Sequence, residues 1–231
     1  MITVHHLADS RSQRVLWLLE ELALPYQVRR YERDPATMLA PPELKAVHPL
    51  GKSPVIEHET ASGTIRVAET GAIVDYLGEA FAASGPGSSL WPAHGTEAHR
   101  QCRYFTHYAE GSAMPPLLLK LVFSQLPVRA PALIRPVAAA ISKKAGHSFI
   151  DPQIEAHVRF WEQSLSHSGW FAGESFSVAD IMMSFPLEAA STRIGKVSES
   201  APIRDFLARI HARPAYGRAL ASGGDYAYAK S

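Results

Sequence analysis

The spacing of apolar positions changes partway along the chain. Ile2 to Leu7 is a short β-rich run, and Tyr26 to Tyr31 alternates as a half-buried strand does. Between them Val15, Leu16, Leu18, Leu19 and Leu22 form one stripe with Glu20 and Glu21 off it. That spacing predicts a helix over Ser12 to Leu22, ended by Leu24-Pro25. Asp34 to Pro42 is Pro-rich and reads as a loop; Glu43 to Val47 reads as one helical turn. Ser53 to His58 and Thr64 to Ala68 read as strands around the turn residues Ala61-Ser62-Gly63, and Glu69 to Phe81 as a further helix. The order is βαβ, then ββα, which predicts a small α/β domain with a mixed sheet.

Beyond it the period is helical throughout. Ala83 to Pro92 is rich in Ser, Gly and Pro and reads as an interdomain linker. His94 to Phe123 predicts a long helix that Pro115-Pro116 kinks or interrupts. Pro131 to Lys144, Pro152 to Ser166, Val178 to Ile194 and Ile203 to His211 read as further helices. The expected organisation is an α/β domain over 1–82, a linker over 83–93 and an all-helical domain over 94–231. Ser177-Val178-Ala179-Asp180 has capping-box spacing, with Phe176 and Ile181 at the staple positions, and is a folding signal.

Composition narrows the function classes. The 231 residues are 46% apolar and 19% charged, which excludes disorder for the bulk of the chain. A chain this long buries about 70% of its unfolded surface. Lys plus Arg is 23 and Asp plus Glu 22, so the net charge of +1 gives no whole-protein field for nucleic acid or an anionic membrane. No nucleic-acid or membrane partner is expected. The single cysteine, Cys102, excludes a disulfide scaffold and suits a reducing compartment. Met1 to His6 lacks the pattern of a signal peptide, and no run reaches the ~18 apolar residues of a membrane span. The closest run, Leu126 to Ile141, is broken by Arg129, Arg135 and three prolines. A cytoplasmic, soluble protein is expected. Despite eleven histidines there is no H-E-x-x-H, and His147, His157 and His167 are ten apart, so no metal is expected.

Three segments at element junctions carry the candidate chemistry: Asp9-Ser10-Arg11-Ser12-Gln13-Arg14, His48-Pro49-Leu50-Gly51-Lys52-Ser53-Pro54-Val55 and Ala68-Glu69-Thr70-Gly71-Ala72-Ile73. In α/β sheets, sites lie at such junctions. Their order and spacing, with Ser-Val-Ala-Asp-Ile in the helical half, resemble those of cytosolic glutathione S-transferases over nearly the whole chain. The likeness is greatest to the bacterial and fungal branch that carries Ala-Pro-Pro-Glu-Leu and His-Pro-Leu-Gly-Lys-Ser-Pro, here Ala40 to Leu44 and His48 to Pro54.

The resemblance implies a thioredoxin-like glutathione-binding domain followed by a helical domain, and glutathione as co-substrate. It implies that the Ser53–Pro54 bond is cis and that Val55 offers its N–H and C=O to an extended peptide, as a sheet edge does. Thr70, expected to cap its helix, would help hold the γ-glutamyl carboxylate at that helix N-terminus, and Glu69 would pair with the α-amino group. Lys52, with His48 beside it, would meet the glycine carboxylate.

Ser10 is the expected catalytic residue, its hydroxyl stabilising the glutathione thiolate, which is the nucleophile. Ser12 competes for that role, and Ser10 with Gln13 also has capping-box spacing. Arg11 either strengthens the field at sulfur or faces solvent. The second substrate is expected to be a small apolar electrophile held near Tyr104, Phe105, Tyr108, Met114 and Phe123, residues that serve equally well as helix core. Tyr108 could reach sulfur or substrate with its hydroxyl. Peroxide reduction by the same thiolate is a variant, the resemblance implies a homodimer, and the alternative is a non-catalytic binding or scaffold protein of the same fold.

Overall fold

The computed structural model describes residues 1–82 and 86–229. Strands β1 (Ile2–Leu7), β2 (Tyr26–Tyr31), β3 (Val55–Thr60) and β4 (Gly63–Ala68) form one sheet in the order β2-β1-β3-β4. β1 pairs parallel with β2 and antiparallel with β3, and β3 pairs antiparallel with β4. The sheet is mixed because helix α1 (Gln13–Glu21) crosses between the parallel pair, whereas β3 and β4 join by a tight turn. α2 (Leu44–Val47) is the expected single turn, and α3 (Thr70–Phe81) follows β4 directly.

The rest is helical: α4 (Glu97–Tyr108), α5 (Met114–Arg129), α6 (Arg135–Ala145), α7 (Asp151–Ser168), α8 (Val178–Ser191), α9 (Gly195–Glu199), α10 (Ala201–His211) and α11 (Pro214–Gly223). Among the described residues, the only β pairing in this half is an isolated bridge between Trp170 and Gly173. Residues 83–85 of the expected linker lie outside the described residues, and Pro86–Leu90 forms a 3-10 turn.

The long helix expected over His94 to Phe123 is two helices. A π-turn at Ala109–Ala113 joins α4 to α5, and Pro115-Pro116 sit in the first turn of α5, where their missing N–H groups cost nothing. α9 and α11 have no counterpart in the sequence reading. α9 is a five-residue turn, too short for a period to show, and α11 begins at Pro214, a residue that punctuates as often as it initiates.

α8 is the hub. All thirteen residues from Val178 to Ala190 are buried, including Asp180, Ser184 and Glu188. A helix buried on every side must satisfy its polar groups internally. Its capping box is formed: Asp180 Oδ2 accepts from Ser177 N–H at 2.8 Å, Ala179 N–H donates to Ser177 Oγ at 3.3 Å, and Asp180 Oδ1 accepts from Phe171 N–H at 2.9 Å. Glu188 accepts from Tyr216 and Tyr226 at 2.6 and 2.7 Å. α1 packs against α8, α11 and α3, so one continuous apolar core runs from the sheet into the helices. That shared core sets the β1–α1 turn against the helical half.

Candidate functional site

The β1–α1 turn, the α2–β3 loop and the start of α3 meet around an open cleft of about 560 Å³, a size suited to a small ligand. Arg11, His48, Lys52, Ser53, Pro54, Glu69 and Thr70 line it, with Leu50, Ala68 and Glu110. The three junction segments singled out in the sequence therefore share one hollow, joined by one residue of the helical half.

On one wall, Ser53–Pro54 is cis. Ser53 pins this turn to β1, donating to the His5 carbonyl at 2.8 Å and accepting from Leu7 N–H at 3.2 Å. Val55 is buried between His5 of β1 and Ala68 of β4, so Ser53 and Pro54 are the residues here that touch the cleft. His48 and Lys52 flank the Gly51 turn, whose φ of 56° puts the chain in the left-handed region.

The opposite end is the α3 N-terminus. Thr70 is not the cap expected of it. The cap position is Glu69, held at φ 71° and ψ 128°, and Thr70 is the first helical residue. A one-residue shift in where the helix begins accounts for the difference. No side chain caps the first turn, so its free backbone N–H groups are open to a ligand anion beside the cleft.

The third wall is the β1–α1 turn. Asp9 has φ 49°, and Arg33 braces the turn by donating to the Ala8 and Asp9 carbonyls, each at 3.1 Å. Ala227 N–H reaches back from the C-terminal segment to Asp9 Oδ1 at 2.7 Å. Ser10 and Ser12 are buried, and neither lines the open cleft. Their hydroxyl oxygens lie 2.7 Å apart, and Ser12 Oγ is 2.9 Å from His6 Nδ1. Burial, with the positive charge of Arg30 nearby, pushes the His6 pKa down to about 4, so at pH 7 the row Ser10–Ser12–His6 is neutral. The capping box that the Ser10–Gln13 spacing offered as an alternative does not form. The α1 cap position is Ser12, in helical geometry, whose hydroxyl caps no N–H of the first turn, and Gln13's amide is buried without a partner.

Glu110 was not expected here, and Arg14, part of the first segment, had been given no role. The π-turn sets Glu110 at the cleft, where its carboxylate bridges Arg11 Nε at 2.8 Å and the buried Arg14. Burial pushes this carboxyl up, but Arg14 and then Arg11 outweigh it and hold it below its ordinary value. Arg14 also donates to the Met182 carbonyl at 2.7 Å, and both guanidiniums lie over the Phe185 ring. Glu110→Gln keeps one acceptor for Arg14 but removes the charge; it is expected to lower stability by about 2 kcal/mol in urea unfolding.

The residues expected to hold an electrophile do not gather at this cleft. Phe105 and Met114 are core, Phe123 packs against that core, and Tyr104 is half exposed. Tyr108 is buried, accepts from Trp161 Nε1 at 3.0 Å and contacts His157 Nδ1; burial raises its pKa well above the ordinary tyrosine value. Among the described residues, no three His, Cys, Asp or Glu side chains gather as a metal would require.

Two family profiles match this architecture: the N-terminal domain of glutathione S-transferase over residues 10–80 and its C-terminal domain over 127–214. Glutathione S-transferase 1 of Saccharomyces cerevisiae is 34% identical over 222 residues, covering 94% of this chain and 92% of the yeast protein. Glutathione S-transferase 3 of Schizosaccharomyces pombe is 29% identical, covering 93% and 85%. The crystal structure of a glutathione S-transferase from Actinobacillus pleuropneumoniae superposes with a TM-score of 0.79 at 30% identity, covering 100% of this chain and 97% of that one. A glutathione transferase family member from Pseudomonas fluorescens, solved with two glutathione bound, shares the fold at TM-score 0.71 and 21% identity, over 95% and 92%. On fold, profile and sequence together, the chain belongs to the glutathione S-transferase family.

Proposed function

We propose that the protein is a glutathione transferase that binds glutathione in this cleft, ionises its thiol and directs the thiolate at a small electrophile. The observation that carries the reading is the meeting, in one hollow, of two basic side chains (Lys52 and His48) with the open N-terminus of α3 and Glu69. Glutathione carries two carboxylates and an amine, and this hollow offers a complement to each. Lys52 and His48 take the glycine carboxylate. The α3 N–H groups take the γ-glutamyl carboxylate, and Glu69 takes the amine.

Ser10 does not line the cleft but adjoins Arg11, which does; with Ser12 donating to it, its own hydroxyl proton is free to turn to the sulfur and stabilise the thiolate, the N-terminus of α1 and Arg11 adding positive potential. Lowering a thiol from ~8.5 by ~2 units corresponds to about 2.7 kcal/mol, within reach of a hydrogen bond and a helix terminus. Peroxide reduction draws on the same thiolate. In this reading the protein works as a homodimer in the cytoplasm.

The test is ultraviolet titration of the thiolate on adding glutathione, with calorimetry alongside. A bound thiol ionising below its free pKa supports the transferase reading; binding without ionisation favours a carrier or scaffold. Lys52→Ala is expected to weaken glutathione about tenfold in calorimetry, the loss of one charge-assisted hydrogen bond. Unchanged affinity would place the glycine carboxylate elsewhere.

A further inference from the structure

The hairpin of α5 and α6 has no part in the cleft, and its composition stands apart from the rest of the chain. Residues 111–150 hold five Lys and Arg and no Asp or Glu, leaving 18 basic and 22 acidic residues elsewhere. The net charge of +1, which argued against a membrane partner, is the sum of a basic hairpin and an acidic body.

The same hairpin displays large apolar side chains to solvent. At its tip, where a short 3-10 turn joins the helices, Leu133 is 92% exposed, with Val128 at 68% and Ile134 at 52%. Arg129 and Arg135, both exposed, flank this tip. Along α6, Ile134, Val137, Ile141 and Lys144 recur three or four residues apart and so share one face. Scattered exposed apolar residues need no explanation, but a contiguous set at a projecting tip does. Long cationic side chains beside an apolar tip let the tip enter a bilayer while the charges stay among headgroups.

We propose that the α5–α6 tip is a peripheral membrane-docking surface that inserts Val128, Leu133 and Ile134 at the headgroup level of an anionic lipid bilayer. Charge selects this occupant. Packing the tip on a second copy of itself would oppose arginines with no carboxylate in the hairpin to neutralise them, whereas an anionic leaflet complements Arg129, Arg135, Lys143 and Lys144, the four cations of the hairpin other than Lys120, which pairs with Asp151. No helix of the described residues is long and apolar enough to cross a membrane, so the contact is interfacial. The proposal does not depend on the reading of the cleft.

The test is co-sedimentation of the full chain with large unilamellar vesicles of phosphatidylcholine alone and of phosphatidylcholine with 30% phosphatidylserine. The expected result is binding to the phosphatidylserine vesicles only, weakened at least tenfold between 50 and 300 mM NaCl. Leu133→Asp with Ile134→Asp, and separately Arg129→Glu with Arg135→Glu, should each lower vesicle binding at least tenfold. Both pairs are exposed, so glutathione binding and melting temperature should stay as in the wild type. No binding, equal binding to both vesicles, or binding unaffected by either pair overturns the proposal. So does sedimentation equilibrium showing self-association abolished by the Asp pair without vesicle binding, which would make the tip an interface between copies.

Discussion

Asp180→Ala is expected to destabilise the protein by about 4 kcal/mol, the largest loss from any single side chain considered, read as the fall in unfolding free energy in urea. The side chain is fully buried, and its two oxygens accept from Phe171 N–H, Ser177 N–H and Ser177 Oγ. Truncation leaves two backbone donors in the core without an acceptor, each costing about 1–3 kcal/mol, and removes half of the α8 cap. Since α8 is the hub on which α1 packs, the loss reaches the β1–α1 turn as well. A fall below about 1 kcal/mol would mean that water replaces the carboxylate.

The same residue sets a pH dependence with a definite sign. Burial raises the Asp180 pKa from 3.8 to about 6, against the pull of its hydrogen bonds. The native state therefore holds this proton more tightly than the unfolded chain does. Its contribution is greatest below about pH 4 and falls by about 3 kcal/mol as pH rises to about 6. Other carboxylates titrate in that window, Glu110 with the opposite sign, so the wild-type profile alone is a sum. The difference profile between wild type and Asp180→Ala isolates the Asp180 component, and it should slope across pH 4–6 and be flat above.

What the sequence displays and what it hides follow from the range of the interactions. The four strands, α1 and the α8 cap were legible because each is written in residues within a turn or two of one another. Ser177 and Asp180 need only three residues to declare a helix start. The cleft was legible as three segments, and the fold brings all three together.

Glu110 was not legible. It pairs with Arg14 across 96 residues, and it reaches the cleft through a π-turn that the apolar period of a long helix does not record. The Asp9–Ala227 bond spans 218 residues and was hidden for the same reason. Periodicity also cannot tell a pocket aromatic from a core aromatic, and Phe105 is core. An isolated Glu amid a helical run carries no mark of its partner. The signal that existed was indirect: two arginines, Arg11 and Arg14, three apart at the start of a helix with no acid in its first turn.

Ser10→Ala is expected to lower kcat/KM at pH 6.5 about 15-fold and to leave it nearly unchanged at pH 9. The hydroxyl's hydrogen bond to the charged sulfur accounts for about 2 kcal/mol, or ~1.5 units, of the ~2-unit depression, and the α1 terminus with Arg11 for the rest. A thiol returned from ~6.5 to ~8.0 is about half ionised before and about 3% ionised after at the lower pH, and mostly ionised in both at the higher. The acid limb of the profile should move by about 1.5 units while glutathione affinity holds, because in the proposed reading binding rests on Lys52, Glu69 and the α3 N-terminus. His6 does not act as the base in this scheme. It lies two hydrogen bonds behind Ser10, and its pKa of about 4 is too low to keep a thiol proton at neutral pH. The proton leaves to solvent, and the turn stabilises the anion that remains. Ser12→Ala breaks the row one hydroxyl further back and should move the acid limb by less than one unit. If Ser12→Ala moves it as far as Ser10→Ala, the two hydroxyls act as one unit. If neither moves it, the thiolate is held by Arg11 and the backbone N–H groups at the start of α1, and Arg11→Gln becomes the variant that shifts the limb.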